Sequence, residues 1–221
     1  MAVDLDALRR EQAGIAARVD LRFDPSYPIG MLAGVDVSFS RYSTAGYAAV
    51  VVFSYPFLQM VDCEVIQGPL LIPYIPGYLA FREWPLIQAC LQKLRIQPDL
   101  LICDGQGLAH PRRAGLACHV GVATGKMAIG CAKSRLIGEY EEPGWSKGAR
   151  SDLWYEGQKV GEVLRTRDGI KPLFISPGHK IDFEQASQLI LSLCPRYRQP
   201  IPIRAAHALV NRARKQDSSS V

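Results

Sequence analysis

The sequence predicts a single α/β domain in which helices flank a mixed sheet. Three apolar, extended segments come first, and helical and extended segments then alternate, which is typical of α/β proteins. The 221 residues suffice for a sizeable core, and a hydrophobic fraction of 48% excludes disorder over most of the length. We expect one domain over residues 1–215 and a frayed, serine-rich tail over residues 216–221.

The N-terminal part of the chain predicts one helix and a three-stranded meander. Apolar residues recur near helical spacing over Leu5–Val19, and Asp4 precedes them as an N-cap. Short connections join the next three extended segments, which favours antiparallel pairing. These segments are Met31–Phe39, Tyr47–Ser54 and Leu58–Ile66.

A rigid loop separates the meander from the helical middle of the chain. Prolines and glycines predict the loop over Gly68–Gly77, and a helix follows over Leu79–Leu94, with Pro85 as a kink or a new start. The next elements are a short apolar strand, a helix of small residues and a buried strand, over Asp99–Cys103, Arg113–Gly125 and Met127–Ala132.

The C-terminal part predicts a polar hairpin over Gly138–Arg165, followed by one strand and two helices. The strand covers Pro172–Ile175, and the helices cover Asp182–Cys194 and Ile203–Lys215. Strands in a meander, followed by alternating helices and strands, also suit the ribonuclease H-like fold.

Basic residues are concentrated in two segments that contain no acidic side chain. The net charge is only +5, but neither Gly105–Gly138 nor Gln185–Gln216 contains Asp or Glu. Such segments line a groove for a polyanion, or they form solvated basic faces, and charge alone does not separate the two.

The six cysteines have spacings that do not suit a zinc site. No CxxC pair occurs, and most of the cysteines lie in apolar runs, so we expect small buried side chains in a reducing cytoplasm. The apolar runs are too short or too charged for a membrane span, and charges near the start argue against a secretory signal.

Two aspartates occur where apolar strands are predicted. Asp36 lies inside a strand, where a buried carboxylate is costly without a partner. Its alternative is a solvated sheet face, because its valine neighbours point the other way. Asp104 ends a strand and precedes two glycines, at the kind of strand end where α/β proteins bind ligands. Its alternative is a tight turn capped by the aspartate.

A third carboxylate follows a loop braced by prolines. Tyr74, between Pro73 and Pro76, is either presented as an aromatic wedge or packed on the core. Glu83 either complements a helix dipole or joins the two aspartates. Three carboxylates together suit one or two Mg²⁺ ions, which prefer oxygen ligands and stabilise displacement at phosphorus. Lys133, at the end of a strand, is placed to meet the phosphate.

Seven strings of residues share their order and spacing with a known family. No single string is specific, but their order and spacing together are, and the match that they belong to runs from about Gly30 to Lys215. On these strings, the sequence resembles the endonuclease V family, the deoxyinosine 3′ endonucleases. The strings are Gly34–Phe39, Pro73–Glu83, Asp104–Arg112, Cys131–Ser134, Leu164–Arg167, Ser176–Asp182 and Arg204–His207.

The resemblance implies a Mg²⁺-dependent nuclease with a ribonuclease H-like core, in which Mn²⁺ can substitute. Such enzymes recognise hypoxanthine, the base of deaminated adenine. They hydrolyse the second phosphodiester bond on its 3′ side and leave a 3′-hydroxyl and a 5′-phosphate. By position, Asp36 and Asp104 would be the principal metal ligands, with Glu83 assisting. Lys133 would act at the scissile phosphate, and His207 would be an outer ligand or a phosphate contact.

The resemblance also implies a pocket for a base that has left the stack. Tyr74 would be the wedge that fills the gap left behind. A poorly paired base such as inosine costs less to extrude, which supplies part of the selectivity. The pocket would involve Gly77, Leu79, Gly105, His110 and Leu116.

Two other functions stay open at this point. A ribonuclease for inosine-containing RNA would differ in its treatment of the 2′-hydroxyl, which the sequence does not reveal. A binding module without catalysis would keep the fold, although the presence of every implied catalytic residue argues against it. We expect a cytoplasmic monomer that acts on DNA containing deoxyinosine and has no membrane partner.

Overall fold

The computed structural model describes residues 3–39 and 43–218, and it shows one eight-stranded mixed sheet between helices. The strands occur in the order β3-β2-β1-β4-β5-β8-β7-β6. The predicted fold class is confirmed. The elements are α1 (Leu5–Arg18), β1 (Met31–Phe39), β2 (Ala45–Ser54), β3 (Met60–Pro69), α2 (Leu79–Lys93), β4 (Leu100–Cys103), α3 (Leu116–Thr124), β5 (Met127–Ala132), β6 (Arg150–Tyr155), β7 (Gln158–Leu164), β8 (Leu173–His179), α4 (Phe183–Ser192) and α5 (Ile201–Ser218).

The centre of the sheet is parallel and its flanks are antiparallel. β1, β2 and β3 form the predicted meander, and β4 runs parallel to both β1 and β5. Val35 of β1 is in register with Cys103 of β4, so the next residues, Asp36 and Asp104, lie side by side. We call this side of the sheet, where β1, β4 and β5 end, the carboxyl edge.

Helices cover both faces of the sheet. α2 and α3 pack on one face with a core that includes Val35 and Leu101, and α4 and α5 pack on the other with a core that includes Leu32 and Ile102. α1 lies against α3. Because the central strands are buried on both faces, they read as nearly continuous apolar runs.

A glycine allows α5 to approach β1 very closely. A Cβ atom at Gly34 would lie only 2.1 Å from the carbonyl carbon and oxygen of Pro202. Ile203, Ala206 and Val210 are fully buried along the same face of the helix. This packing carries the next turn of α5 to the carboxyl edge.

Several predicted boundaries are wrong by a few residues. The loop predicted over Gly68–Gly77 starts later, because β3 stays paired with β2 up to Pro69. The third helix starts at Leu116 rather than Arg113, whose φ of 52° is incompatible with a helix. The strand predicted to end at Ile175 continues to His179, since it remains paired with β5.

The ends of two helices also differ from the prediction. α2 continues through Pro85 without a new start. α5 continues to Ser218, three residues past the predicted Lys215 end, and residues 219–221 of the predicted tail lie outside the described residues. None of the described helices is long and apolar enough to cross a membrane.

Replacing Gly34 with alanine is expected to lower the free energy of unfolding by about 1–3 kcal/mol, because the added methyl group overlaps the backbone of α5. Gly14→Ala in α1 is the matched control. Nothing lies within 4 Å of a Cβ atom there, and alanine stabilises a helix by up to about 1 kcal/mol relative to glycine. Urea unfolding of both variants checks this, and a wild-type midpoint for Gly34→Ala would contradict it.

Candidate active site

Three side chains from separate elements meet at the carboxyl edge. They are Asp36 of β1, Asp104 after β4 and His207 of α5, and one ligand atom from each lies within 4.8 Å of the other two. Asp36 is only 8% exposed, because α5 covers this face of β1. The alternative of a solvated sheet face for Asp36 is therefore wrong.

Hydrogen bonds orient the imidazole of His207. The side-chain amide of Asn211 donates to Nε2 at 3.0 Å, so Nδ1 carries the proton and donates to the Asp36 carboxylate at 2.8 Å. The Ser38 hydroxyl donates in turn to the Asn211 amide oxygen at 3.3 Å. Asn211 was not among the predicted site residues, although its spacing of four residues from His207 places both on one helix face.

Glu83 brings a third carboxyl group close to the cluster. It lies in the second turn of α2 and is 6% exposed, so the alternative of complementing the helix dipole in the first turn is wrong. Burial, followed by the charges of Asp36 and Asp104, raises the pKa of Glu83 well above its ordinary value. Burial and the charge of Asp104 also raise the pKa of Asp36, against the opposing effect of His207.

The cluster has the chemistry of a site for a divalent cation. Burial, followed by mutual repulsion, raises the pKa of Asp36 and Glu83, and a bound cation would offset the repulsion. The carboxylate oxygens of the two aspartates suit a divalent metal ion. Lys133, whose Nζ lies 2.5 Å from the Asp104 carboxylate, has a side chain 40% exposed, which leaves its ammonium group accessible to a substrate phosphate.

A small cavity opens beside the cluster. It has a volume of about 140 Å³, and a cavity of about 150 Å³ holds a benzene ring. Glu83 and Asp104 belong to its wall, so the cavity and the acidic cluster share residues. All six residues predicted for base binding line it, namely Tyr74, Gly77, Leu79, Gly105, His110 and Leu116.

A larger cavity of about 480 Å³ lies at the opposite edge of the sheet. Its lining includes Asp99 and Met127, which stand at the starts of β4 and β5. None of the predicted site residues lines it. The smaller cavity is therefore the one connected with the acidic cluster.

Three donors hold the carbonyl group of Gly77 at the base of the proline-braced loop. The side chains of Gln12, Arg112 and His110 donate to it at 2.8, 2.7 and 3.1 Å. Gly77 has a φ of +80°, and a Cβ atom there would lie 2.8 Å from Arg112. Sequence analysis assigned no role to Gln12, which is 1% exposed and also accepts from Arg112. Gln12 lies 65 residues before Gly77 in the sequence, so no local pattern indicates that the two residues are in contact.

Both ring nitrogens of His110 are engaged within the protein. The backbone N–H of Arg112 donates to Nδ1 at 3.2 Å, so Nε2 carries the proton that is donated to Gly77. Burial, followed by the charge of Arg112, lowers the pKa of His110 to about 4. His110 is therefore a neutral wall of the cavity at physiological pH and presents ring carbons to a ligand.

Comparison with known proteins decides the family. The Endonuclease V family matches residues 13–208, which is most of the chain. The chain belongs to the endonuclease V family. Endonuclease V from Dehalococcoides mccartyi is 52% identical over 179 residues, covering 81% of this chain and 80% of that protein. The predicted family resemblance is confirmed.

Solved endonuclease V structures share the whole fold. Endonuclease V from Streptomyces avermitilis has a TM-score of 0.92 at 40% identity, covering 99% of this chain and 96% of that chain. Endonuclease V from Ciona intestinalis, in complex with a 24mer DNA containing an inosine followed by a ribo-adenosine, has a TM-score of 0.83 at 26% identity, covering 96% and 98%. As a member of the endonuclease V family, the chain is a nuclease and a metal-dependent phosphodiester hydrolase.

Replacing Gln12 with leucine is expected to loosen the loop over residues 70–78, because the Gly77 carbonyl loses a donor and Arg112 loses an acceptor. A loss of about 1–2 kcal/mol corresponds to roughly 5- to 30-fold faster amide exchange in this loop. Hydrogen exchange followed by mass spectrometry checks this.

The matched control is Gln188→Leu, which changes an exposed glutamine on α4. Exchange in β4 and β5 is expected to stay at the wild-type rate in both variants. Unchanged exchange of the loop in Gln12→Leu would show that Gln12 does not brace it.

Proposed function

We propose that this chain repairs DNA by cutting the strand that contains deoxyinosine. It recognises hypoxanthine and hydrolyses the second phosphodiester bond on the 3′ side, leaving a 3′-hydroxyl and a 5′-phosphate. The observation that carries this proposal is the shared wall of the cavity and the acidic cluster, through Glu83 and Asp104. A slot for one planar base thus adjoins groups suited to phosphodiester hydrolysis. The endonuclease V relative from Ciona intestinalis, seen with inosine-containing DNA, supports the same substrate.

We assign metal binding to Asp36 and Asp104, with Glu83 assisting from the cavity wall and His207 holding Asp36 as an outer group. Ligand atoms of the two aspartates lie close enough to share one ion, and Mg²⁺ is the metal we propose, with Mn²⁺ able to replace it. The metal, when bound, stabilises the charge that develops on the phosphate oxygens. Lys133 contacts Asp104 in the acidic cluster and would neutralise the scissile phosphate there. Asn211 keeps the imidazole of His207 oriented.

We assign base recognition to the cavity and its loop. Tyr74 is 51% exposed on the loop that Gly77 and its three donors hold in place, so its ring is available to fill the gap left by the extruded base. His110 and Leu116 would form walls against the base. Because His110 has no free ring nitrogen, other groups would have to bind the polar edge of hypoxanthine. We propose the backbone of Gly77 and Gly105 for this role, since both residues line the cavity.

RNA is the second candidate substrate, because the strand bound by the Ciona intestinalis relative places a ribo-adenosine after the inosine. We further propose that the protein acts as a monomer, since one chain supplies both the acidic cluster and the cavity. We place it in the cytoplasm. Its six cysteines are free thiols, and such thiols suit a reducing compartment.

Wild-type protein with Mg²⁺ is expected to nick an oligonucleotide one nucleotide beyond inosine. Asp36→Asn and Asp104→Asn are expected to cut at least about 100-fold more slowly, because the metal contributes several kcal/mol to the transition state. Denaturing gels of matched DNA and RNA strands, with inosine or adenosine at one position, measure the rates. Asp152→Asn, which changes a half-buried aspartate paired with Lys159 in the β6–β7 hairpin, is the control. Undiminished Mg²⁺-dependent cutting by Asp36→Asn would remove the metal assignment.

Tyr74→Ala is expected to reduce the preference for inosine over adenosine, because nothing then fills the gap in the base stack. Loss of a stacking contact of about 1–3 kcal/mol corresponds to a roughly 5- to 150-fold lower ratio of kcat/KM values for the two strands. Tyr74→Phe keeps the ring and is expected to keep the ratio. The Mg²⁺ concentration for half-maximal rate should not change, and a change in it without a change in the ratio would contradict the wedge assignment.

A further inference from the structure

An exposed tyrosine lies between two arginines beside the start of α5. The guanidinium carbon of Arg204 lies 3.3 Å from the centroid of the Tyr197 ring, and that of Arg196 lies 5.9 Å away. Tyr197 is nevertheless 44% exposed, so part of the ring remains open to solvent. We call these three residues the arginine–tyrosine platform. No role in the nuclease reaction has been assigned to it above.

One helical spacing and one chain of contacts place the platform next to the acidic cluster. Arg204 precedes His207 by three residues on α5, an axial rise of about 4.5 Å. Arg198, the neighbour of Tyr197, donates to the backbone carbonyl of Lys133 at 2.8 Å. Lys133 itself contacts Asp104. The platform therefore adjoins the cluster on its α5 side.

The base cavity adjoins the same cluster from the other face of the sheet. About half of its lining residues come from the loop before α2, from α2 itself and from the start of α3, and these helices cover the face opposite α5. A strand with one base in the cavity and its cleaved bond at the cluster would thus cross the carboxyl edge. Its next nucleotides would reach α5.

We propose that the arginine–tyrosine platform binds the cleaved strand on the 3′ side of the scissile bond, with a nucleobase stacked on Tyr197 and phosphates held by Arg196 and Arg204. This inference rests on the proposed function, which sets the cut 3′ to the base in the cavity. A strand advances about 3.4 Å per stacked nucleotide. The platform therefore meets roughly the second and third nucleotides beyond the cut.

The chemistry of the platform suits this ligand. Aromatic rings stack on any base, and arginine adds both a cation–π contact and a phosphate partner. The platform belongs to Gln185–Gln216, the second of the two segments without Asp or Glu. Binding there needs no particular sequence after inosine, which agrees with an enzyme that must act wherever deamination occurs.

Fluorescence of 2-aminopurine tests the stacking without any cleavage. The probe stands at the third nucleotide after inosine, with a second oligonucleotide carrying it three nucleotides before inosine, and the binding buffer contains EDTA. Wild type and Tyr197→Phe are expected to quench the first probe. Tyr197→Ala is expected to lose that quenching at saturating protein and to behave like wild type with the second probe. Equal quenching of the first probe by wild type and Tyr197→Ala would overturn the proposal.

Cleavage of two substrates with Mg²⁺ supplies the functional test. One DNA strand extends eight nucleotides beyond inosine, and the other ends two nucleotides beyond it. Tyr197→Ala is expected to raise KM about tenfold on the long strand, equivalent to about 1.4 kcal/mol of lost stacking, and to leave its kcat and the KM of the short strand unchanged. Tyr197→Phe should match wild type.

Phe57→Ala is the matched control, because Phe57 is 78% exposed in the β2–β3 turn at the opposite edge of the sheet. It should match wild type on both strands. Failure of wild type to cut either strand would remove the proposed function, whereas the 2-aminopurine measurement would still decide whether the platform binds a base. Wild-type cutting together with an unchanged KM for Tyr197→Ala on the long strand would remove the platform alone.

Discussion

The burial of neighbouring carboxyl groups at the carboxyl edge is the constraint on which the rest of this structure depends. Asp36 and Glu83 are almost fully buried within reach of Asp104, and burying several like charges together is unfavourable. His207 and Lys133 offset part of this cost through direct contacts with the two aspartates. Because a divalent cation would lower the remaining unfavourable electrostatic free energy, the site is well suited to bind one, as expected of a metal-dependent nuclease.

Helix α5 links the packing of the sheet to the chemistry of the site. The absence of a side chain at Gly34 lets the helix lie directly on β1. One turn beyond this contact, His207 reaches Asp36, and Asn211 and Ser38 fix its ring. The same packing turns Arg204 toward Tyr197. A single close backbone contact thereby determines the position of the imidazole that holds Asp36 and of the proposed strand-binding platform.

The shape of the cavity depends on a different set of contacts, the hydrogen bonds to one backbone carbonyl group. Its loop contributes a backbone carbonyl, at Gly77, that is satisfied by side chains from α1 and from the segment after β4. In addition, Arg112 donates hydrogen bonds to the side-chain oxygen of Gln12 and to Nδ1 of His110, so the polar side-chain atoms of both residues are engaged within the protein. The result is a slot whose shape is set before a ligand arrives, so that little binding energy is lost in ordering the loop.

The sequence by itself determined the elements whose signals are local. Period-two and apolar runs located β1, β4 and β5, and the family resemblance located Asp36, Asp104, Lys133 and six of the residues that line the cavity. Tertiary structure alone decided how these residues are used. Asp36 is buried because α5, far along the chain, covers β1, and the Gly77 carbonyl is held by Gln12, 65 residues away. Local periodicity contains no information about which distant side chain will satisfy a buried polar group, because that choice is made only when separate elements pack together.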